Sequence, residues 1–462
     1  MRLTSVLLLL LMLMATLLTT VSHAQNAEPW RLVESTDQFR LQFSQLARLE
    51  TLHGQFRAGR LGSSDQLLVV RSIAAGEVRH GRAALVFELL DARQTLADEG
   101  TPLSSGIVNT GNVQQLYANL RFSDLVQQGS TLDVKIGRQT FDLASRRLIA
   151  RSAYNTAPVS FNGVHSALST TGGQRWQAFA LRPVQSLPGD LDSLLDNRTE
   201  RDHDNHAIRL FGTLVEVPDL IAGVRSEFSV VRFIEKDKRG LQGTDRRLTT
   251  LGTRVYRPAA AQQLDFDVEA MLQHGTSRGS TVVSDVRDLD HRAAFLHAEL
   301  GYSFAASWSP RLQLQFDQAS GDEDPFDGRN ERFDTLYGDR RFDFGPTSTF
   351  GTFARSNLMS VGYRFTATPR AGVRLMLAHR DFRLAEAKDV WVGSGLRDRG
   401  GNSGKRLGQQ LEARAQYDLL PGNLTLESGF AWVDWSDFAE RVGGAKMASQ
   451  THYFYLQSQL TF

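Results

Sequence analysis

Residues 449–462, "SQTHYFYLQSQLTF", alternate strictly. Phe454, Leu456, Leu460 and Phe462 fall on one parity, and Tyr453, Tyr455, Gln457, Gln459 and Thr461 on the other. Successive side chains of a strand point to opposite faces, so this segment has one apolar and one polar face. A half-buried sheet of a soluble domain carries the same pattern, but the outermost residues of such domains usually fray. An apolar residue on the final position reads instead as a strand zipped along its whole length to a neighbour.

The same parity recurs upstream. Leu312, Leu314 and Phe316 oppose Arg311, Gln313, Gln315 and Asp317, while Met359, Val361, Tyr363 and Phe365 oppose Ser360, Gly362, Arg364 and Thr366. Leu411, Ala413, Ala415 and Tyr417 oppose Gln410, Glu412, Arg414 and Gln416; Leu264, Phe266, Val268, Ala270 and Leu272 oppose Asp265, Asp267, Glu269 and Gln273. Collected by period-2 alternation, roughly eighteen segments are expected: 39–50, 65–73, 79–92, 115–121, 132–138, 163–169, 175–182, 207–216, 223–234, 247–257, 262–274, 291–304, 311–319, 356–367, 371–384, 405–419, 422–434 and 449–462. Segments 65–73, 175–182 and 223–234 alternate poorly. Proline is scarce inside these segments, as paired strands require.

The connections alternate in length. Short ones carry turn residues: "AAGE" at 74–77, "TGG" at 171–173, "VPDLIAG" at 217–223, "RPAAA" at 257–261, "TPR" at 368–370 and "LPG" at 420–422. Long ones fall between them, at about 93–114, 139–162, 183–206, 275–290, 320–355, 385–404 and 435–448. Short turns on one side and long loops on the other are the pattern of a transmembrane antiparallel β-barrel, with short periplasmic turns and long extracellular loops. In lipid every backbone polar group must be paired, so the sheet closes and the last strand meets the first. Tyr453, Phe454, Trp432 and Trp435 suit the aromatic girdles of such a barrel. The final strand, ending on Phe462, is expected to be read by the barrel assembly machinery.

Composition fits. Basic and acidic residues number 52 and 51, so no nucleic-acid footprint exists. The chain has no Cys, which removes disulfides and thiolate chemistry. The mean hydropathy is negative, against a helical membrane protein. At the N-terminus, Arg2, the apolar run Val6–Leu18 and Ser22-His23-Ala24 read as a secretory signal peptide spanning 1–24 and cleaved after Ala24. Residues 25–462 are then the barrel domain, with 25–38 a periplasmic lead-in. The expected location is the outer membrane of a Gram-negative bacterium, in outer-membrane lipid and lipopolysaccharide, as a monomer.

If the apolar parity faces lipid, the other lines a lumen wide enough for water. That places Arg48, Arg121, Lys135, Arg209, Arg254, Arg364, Arg374, Arg380 and Arg414 inward, with Glu50, Glu88, Asp133, Asp265, Asp267, Glu269, Glu299, Asp317, Glu412 and Glu427. Guanidinium forks bind carboxylates; the same charges also pair across neighbouring strands. No GxSxG or HExxH occurs. "DHDNH" (Asp202–His206) falls in an expected solvated loop. "SGDEDPFDGRNERFD" (Ser320–Asp334) departs from the EF-hand spacing. Neither a metal nor a cofactor is called for.

Several stretches, in order, resemble the alginate export family of outer-membrane porins: "GRQTFDLASRRLIARSAYNTAPVSFNGV" (Gly137–Val164), "ASGDEDPFDGRNERFDTLYGDRRFDFG" (Ala319–Gly345), "LGQQLEARAQYDLLPGNLTLESGFAWVDWSDF" (Leu407–Phe438) and "HYFYLQSQLTF" (His452–Phe462). The resemblance implies an eighteen-stranded barrel and an Arg-rich conduit for an anionic polysaccharide of uronic acids. Arg138, Arg147, Asn155, Phe161 and Gly163 match the family's early motif, while Asn162 and Tyr154 stand where the family has Asp and Trp; the resemblance adds Arg138 and Arg147 to the residues expected to line the pore and bind substrate. The expected function is passive export of an alginate-like polyuronate, with no enzymatic step. Two alternatives stay open: a porin for small, acidic or aromatic solutes, and an outer-membrane enzyme or adhesin built on loops 183–206 and 320–355.

Overall fold

The computed structural model describes residues 29–462 apart from positions 153, 222, 239, 240 and 242. The expected signal peptide and its cleavage point lie outside the described residues. Eighteen antiparallel strands form one closed barrel. They are β1 Phe39–His53, β2 Ser64–His80, β3 Ala83–Thr95, β4 Asn109–Ser123, β5 Thr131–Gln139, β6 Phe161–Ser169, β7 Arg175–Gln185, β8 Ile208–Ile221, β9 Val224–Glu235, β10 Arg247–Arg257, β11 Leu264–Ser277, β12 Leu289–Ser303, β13 Arg311–Ala319, β14 Leu358–Arg370, β15 Val373–Arg383, β16 Arg406–Leu420, β17 Leu424–Trp435 and β18 Gln450–Thr461. Among the described residues three short α-helices decorate the loops: α1 Leu191–Leu195, α2 Arg341–Phe344 and α3 Asp437–Gly443. No described helix is long and apolar enough to cross a membrane.

The closing strand does what its alternation demands. β18 pairs with β17 on one side and with β1 on the other, from Ser44 opposite Thr461 to His53 opposite His452. Phe43 and Phe462 exchange backbone hydrogen bonds of 2.8 and 2.9 Å. Residues 29–38 precede β1 without regular structure. Asn423, in the turn after β16, holds them by accepting from Trp30 N at 2.7 Å and donating to Trp30 O at 2.9 Å.

Several boundaries differ from expectation. Ala74–Glu77 is no turn; it lies inside β2, and the reversal falls at Gly81–Arg82, where Gly81 has φ +56°. Gly76 is small for another reason: the Phe87 ring lies across it, 2.5 Å from where a Cβ would sit. Thr368–Arg370 stay in β14 past a register shift, and the turn is Ala371–Gly372. β8 likewise runs on to Ile221, through most of the expected "VPDLIAG" turn.

The barrel wall is amphipathic in the expected sense over most of its height. Leu85, Leu116, Ile136, Leu251, Leu272, Leu300, Leu314, Val361, Leu377 and Leu456 are exposed on the outer face. The extracellular end of the interior is different. There the loops fold inward and pack on the wall, forming two apolar clusters. One gathers Phe56, Phe350, Phe353, Phe382, Trp391, Trp435 and Tyr453; the other gathers Phe141, Ile149, Phe161, Phe179, Leu210, Phe233, Leu248 and Phe333. Trp435 and Tyr453 are therefore interior residues, not part of a membrane girdle, whereas Phe454 is exposed outside.

Candidate functional site

Two loops fill the upper interior. The loop 140–160, between β5 and β6, and the loop 320–357, between β13 and β14, are joined by a parallel bridge between Ile149 and Tyr337. Ala150 N donates to Tyr337 O at 3.0 Å and Tyr337 N to Leu148 O at 3.1 Å. Side chains then anchor the pair to strands around most of the circumference. Arg147 Nη1 donates to Glu269 of β11 at 2.8 Å, and Arg341 Nη1 to Glu412 of β16 at 2.6 Å. Arg341 Nη2 donates to the Tyr455 hydroxyl of β18 at 2.7 Å, and Thr349 Oγ1 to Glu50 of β1 at 2.7 Å. Arg151 pairs with Glu88 of β3 at 2.5 Å.

Asp343, in α2, is the hub. Its carboxylate accepts from Arg147 Nε and Nη2 at 3.0 and 3.2 Å and from Arg355 Nη2 at 2.5 Å. All three residues are buried. Burial pushes the Asp343 carboxyl up, but Arg147 and Arg355 outweigh it and hold the group well below the usual carboxylate range. Burial equally opposes the Arg147 charge, and Asp343, Glu269 and Asp267 overcome it. Each charge is thus tolerable only in the presence of the others.

The interior residues named from sequence sort into three groups. The first is neutralised. Arg48 pairs with Glu50 (2.7 Å), Arg121 with Asp133 (2.8 Å), Arg254 with Asp267 (2.8 Å) and Arg374 with Asp418 (2.9 Å), and Arg380 pairs with Asp317. The remaining interior acids are taken too: Asp265 and Glu299 by Arg311, Glu269 by Arg147, and Glu412 by Arg341, which also lies 3.8 Å from Glu427.

The second group has no carboxylate. Arg414 makes no hydrogen bond or ion pair among the described residues, Arg364 donates only to the carbonyls of Phe342 (2.6 Å) and Asp343 (3.3 Å), and Lys135 lies over the Tyr117 ring at 5.3 Å. Sequence alone did not single out three further members. Arg71 donates to Asn155 O at 3.4 Å. Arg57 and Arg340 flank Gly351 and donate only to Gln55 and to the carbonyls of Thr349, Phe350 and Phe353. Burial, with each facing another arginine, lowers both Arg57 and Arg340 to about 10, still charged at neutral pH. Arg340 borders a cleft of about 210 Å³ between loops, with Ser104, Asn155, Thr347 and Ser348.

The third group is misplaced by sequence. Arg209 is exposed on the parity of Phe211, and Arg138 shares the outer parity of Ile136. Both point away from the interior. At the extracellular end of these strands Phe161, Leu181 and Leu210 turn inward onto the loops, so the inner face there is the apolar one. The poor alternation of 175–182 has the same cause: Trp176 faces out while Phe179 and Leu181 face in.

Other chemistry-bearing clusters are absorbed by structure. His297, Asp317 and Asp343 come close enough together to ligate a metal, but the carboxylates are already held by Arg380, Arg147 and Arg355. Asp202 accepts from Asn109 and from Leu187 N, while His203 and His206 stay exposed, His206 facing Arg182, so "DHDNH" is tied down at Asp202 and its histidines lie at the solvated surface.

A closed eighteen-strand barrel with an apolar outer belt and a charged interior defines an outer-membrane channel of the porin type. The profile of the alginate export family matches residues 38–451, and the chain belongs to that family. Solved structures share the fold. The Pseudomonas aeruginosa outer-membrane protein OpdK is 11% identical at a TM-score of 0.56, over 92% of this chain and 99% of its own. OpdQ of the same organism is 12% identical at 0.57, over 92% and 97%. OccK2 (OpdF), solved in complex with glucuronate, is 13% identical at 0.55, over 91% and 98%. A search of the curated proteins finds no match.

Proposed function

We propose that this channel passively conducts carboxylated solutes, and that uronate-sized acids suit it better than a polymer. One observation carries this. By composition the interior is balanced, but its acids are consumed by ion pairs while Arg71, Arg364, Arg414 and Lys135 keep no carboxylate. The interior side chains left without an oppositely charged partner are cationic. Successive unpaired guanidiniums offer sites that bind a carboxylate and release it.

The preference for small acids rests on the loops. Moving 140–160 and 320–357 aside for a polysaccharide breaks the buried charge pairs Arg147–Glu269 and Arg341–Glu412 that tie them to the wall, each expensive to separate. OccK2 was solved with glucuronate, a monomeric uronate, and OpdK with vanillate, also a carboxylate; both share only the fold.

Planar-bilayer recordings test the proposal. The reversal potential in a salt gradient should report anion selectivity. Glucuronate should block current at lower concentration than neutral glucose, and oligouronates of increasing length should block without translocating. Cation selectivity, or indifference to glucuronate, would refute conduction of carboxylates. Translocation of long oligouronates would restore polymer export.

A further inference from the structure

Outward-facing arginines at the extracellular rim are of two kinds. On β3, β12 and β15 each has an acid two residues away on its own strand: Arg93 with Asp91 at 2.8 Å, Arg292 with Asp290 at 2.8 Å and Arg383 with Asp381 at 3.0 Å. Between β5 and β10 only Arg247 has such a neighbour, Asp245, which lies just ahead of its strand. Arg138, Arg182, Arg209, Arg232 and Arg247 sit at the extracellular ends of five strands, on the parity that faces out. Their registers line up. Arg138 lies opposite Asn162, and Asn162 opposite Arg182; Arg209 lies opposite Ile234, and Ile234 opposite Arg247.

Little neutralises them. Arg138 donates to Asn162 Oδ1 (3.3 Å) and Val113 O (3.0 Å), and Arg232 to Thr249 Oγ1 (2.7 Å) and Arg247 O (3.4 Å). Arg209 makes no hydrogen bond or ion pair among the described residues. Arg182 has Asp204 at 3.4 Å, and Arg247 has Asp245 at 3.0 Å, which Arg278 shares at 3.3 Å. Exposed Lys236 and Lys238 follow β9 and add to the same charge, while Asp237 between them is bound by Arg278. Directly below, on the same outer parity, lie Ile136, Val164, Phe211, Val230 and Leu251, all exposed. Behind, the inner face is locked against the loops by Leu181, Leu210, Phe233 and Leu248, so the arc is presented by a stiff wall.

We propose that this arc is a lipopolysaccharide site: the guanidiniums bind the phosphates of lipid A, and the apolar rungs below take its acyl chains. A phosphate carries about −1.5 to −2 charges and several acceptor oxygens, which arginine forks match in charge and geometry. Lipid A is the outer-leaflet partner with phosphates at the rim and hydrocarbon beneath. The arginines self-paired on β3, β12 and β15 mark the part of the rim that this partner does not need.

The test uses the full-length barrel purified from outer membranes. Lipid A is titrated by native mass spectrometry in bisphosphorylated and dephosphorylated forms, against an Arg182→Gln/Arg209→Gln/Arg232→Gln variant and an Arg292→Gln/Arg383→Gln control. Retained heat-modifiable gel mobility confirms that each variant is a folded barrel. The arc variant should bind the bisphosphorylated form at least tenfold more weakly, the control should bind as the native protein does, and dephosphorylated lipid A should not distinguish them. Equal losses in arc and control, or no loss in the arc, would overturn the proposal. So would an arc variant that keeps lipid A binding but changes oligomeric state, since that marks a contact between copies of the chain.

Discussion

Replacing Asp343 by Asn tests whether the two loops are held in the barrel by charge. The substitution keeps size and shape and removes the negative charge at the hub. Arg147 keeps Glu269 at 2.8 Å, but Arg355 is fully buried and keeps only the carbonyls of Arg147 (3.0 Å) and Asp339 (3.2 Å). Removing one partner of a buried pair costs about 3–5 kcal/mol, because the other charge stays desolvated. With Arg147 still compensated, the lower end applies. At ~1.4 kcal/mol per decade, the population with the loops displaced rises about a hundredfold. The barrel ladder is untouched, so heat-modifiable mobility should not change. Limited proteolysis within 320–357 should accelerate, and single-channel records should show larger, noisier openings. Adding Arg355→Met removes the stranded charge and should return proteolysis towards the native rate. Native proteolysis and conductance in Asp343→Asn would refute the claim that ion pairs hold the loops. A failure of Arg355→Met to rescue would refute the account of why.

Three further outcomes are expected. Burial and the neighbouring Asp389 raise Asp322 to about 6, while Arg332 and Arg397 oppose the rise. The folded chain therefore binds more protons here than the unfolded one, so the loop contact is strongest below the unfolded value near 4 and is lost as pH rises through about 6. Proteolysis of 320–357 should be slower at pH 5 than at pH 7.5, and Asp322→Asn should flatten that difference. Gly429→Ala places a Cβ 2.2 Å from the Tyr455 ring, which must move and release Arg341; a loss of about 1–3 kcal/mol in denaturant unfolding is expected, and unchanged stability would show that the ring has room. Arg414→Gln should lower anion selectivity in a salt gradient without moving the unfolding midpoint, since no described residue depends on its guanidinium; an unchanged reversal potential would remove Arg414 from the conduction path.

By itself the sequence determined the barrel. Period-2 alternation and short turns opposite long loops have one solution in lipid, where the sheet must close. It also located the chemistry on the polar parity, and Arg48, Arg254, Arg364, Arg380, Arg414 and Glu412 are all interior. Alternation cannot say which face is which when both are apolar. At Leu210 and Phe211 the inner face meets folded loops and the outer meets lipid, so parity read as if only lipid were apolar placed Arg209 on the wrong side. Turn residues misled for a related reason: Gly76 admits a ring from the next strand, and nothing local distinguishes that from a reversal. Only the tertiary structure decided which arginines are free. Arg380 and Arg414 read alike in the chain, yet one is buried against Asp317 and the other has no described partner. Ion pairing depends on contacts far apart in sequence, such as Arg147 with Asp343, and these exist only once two long loops have folded into the barrel.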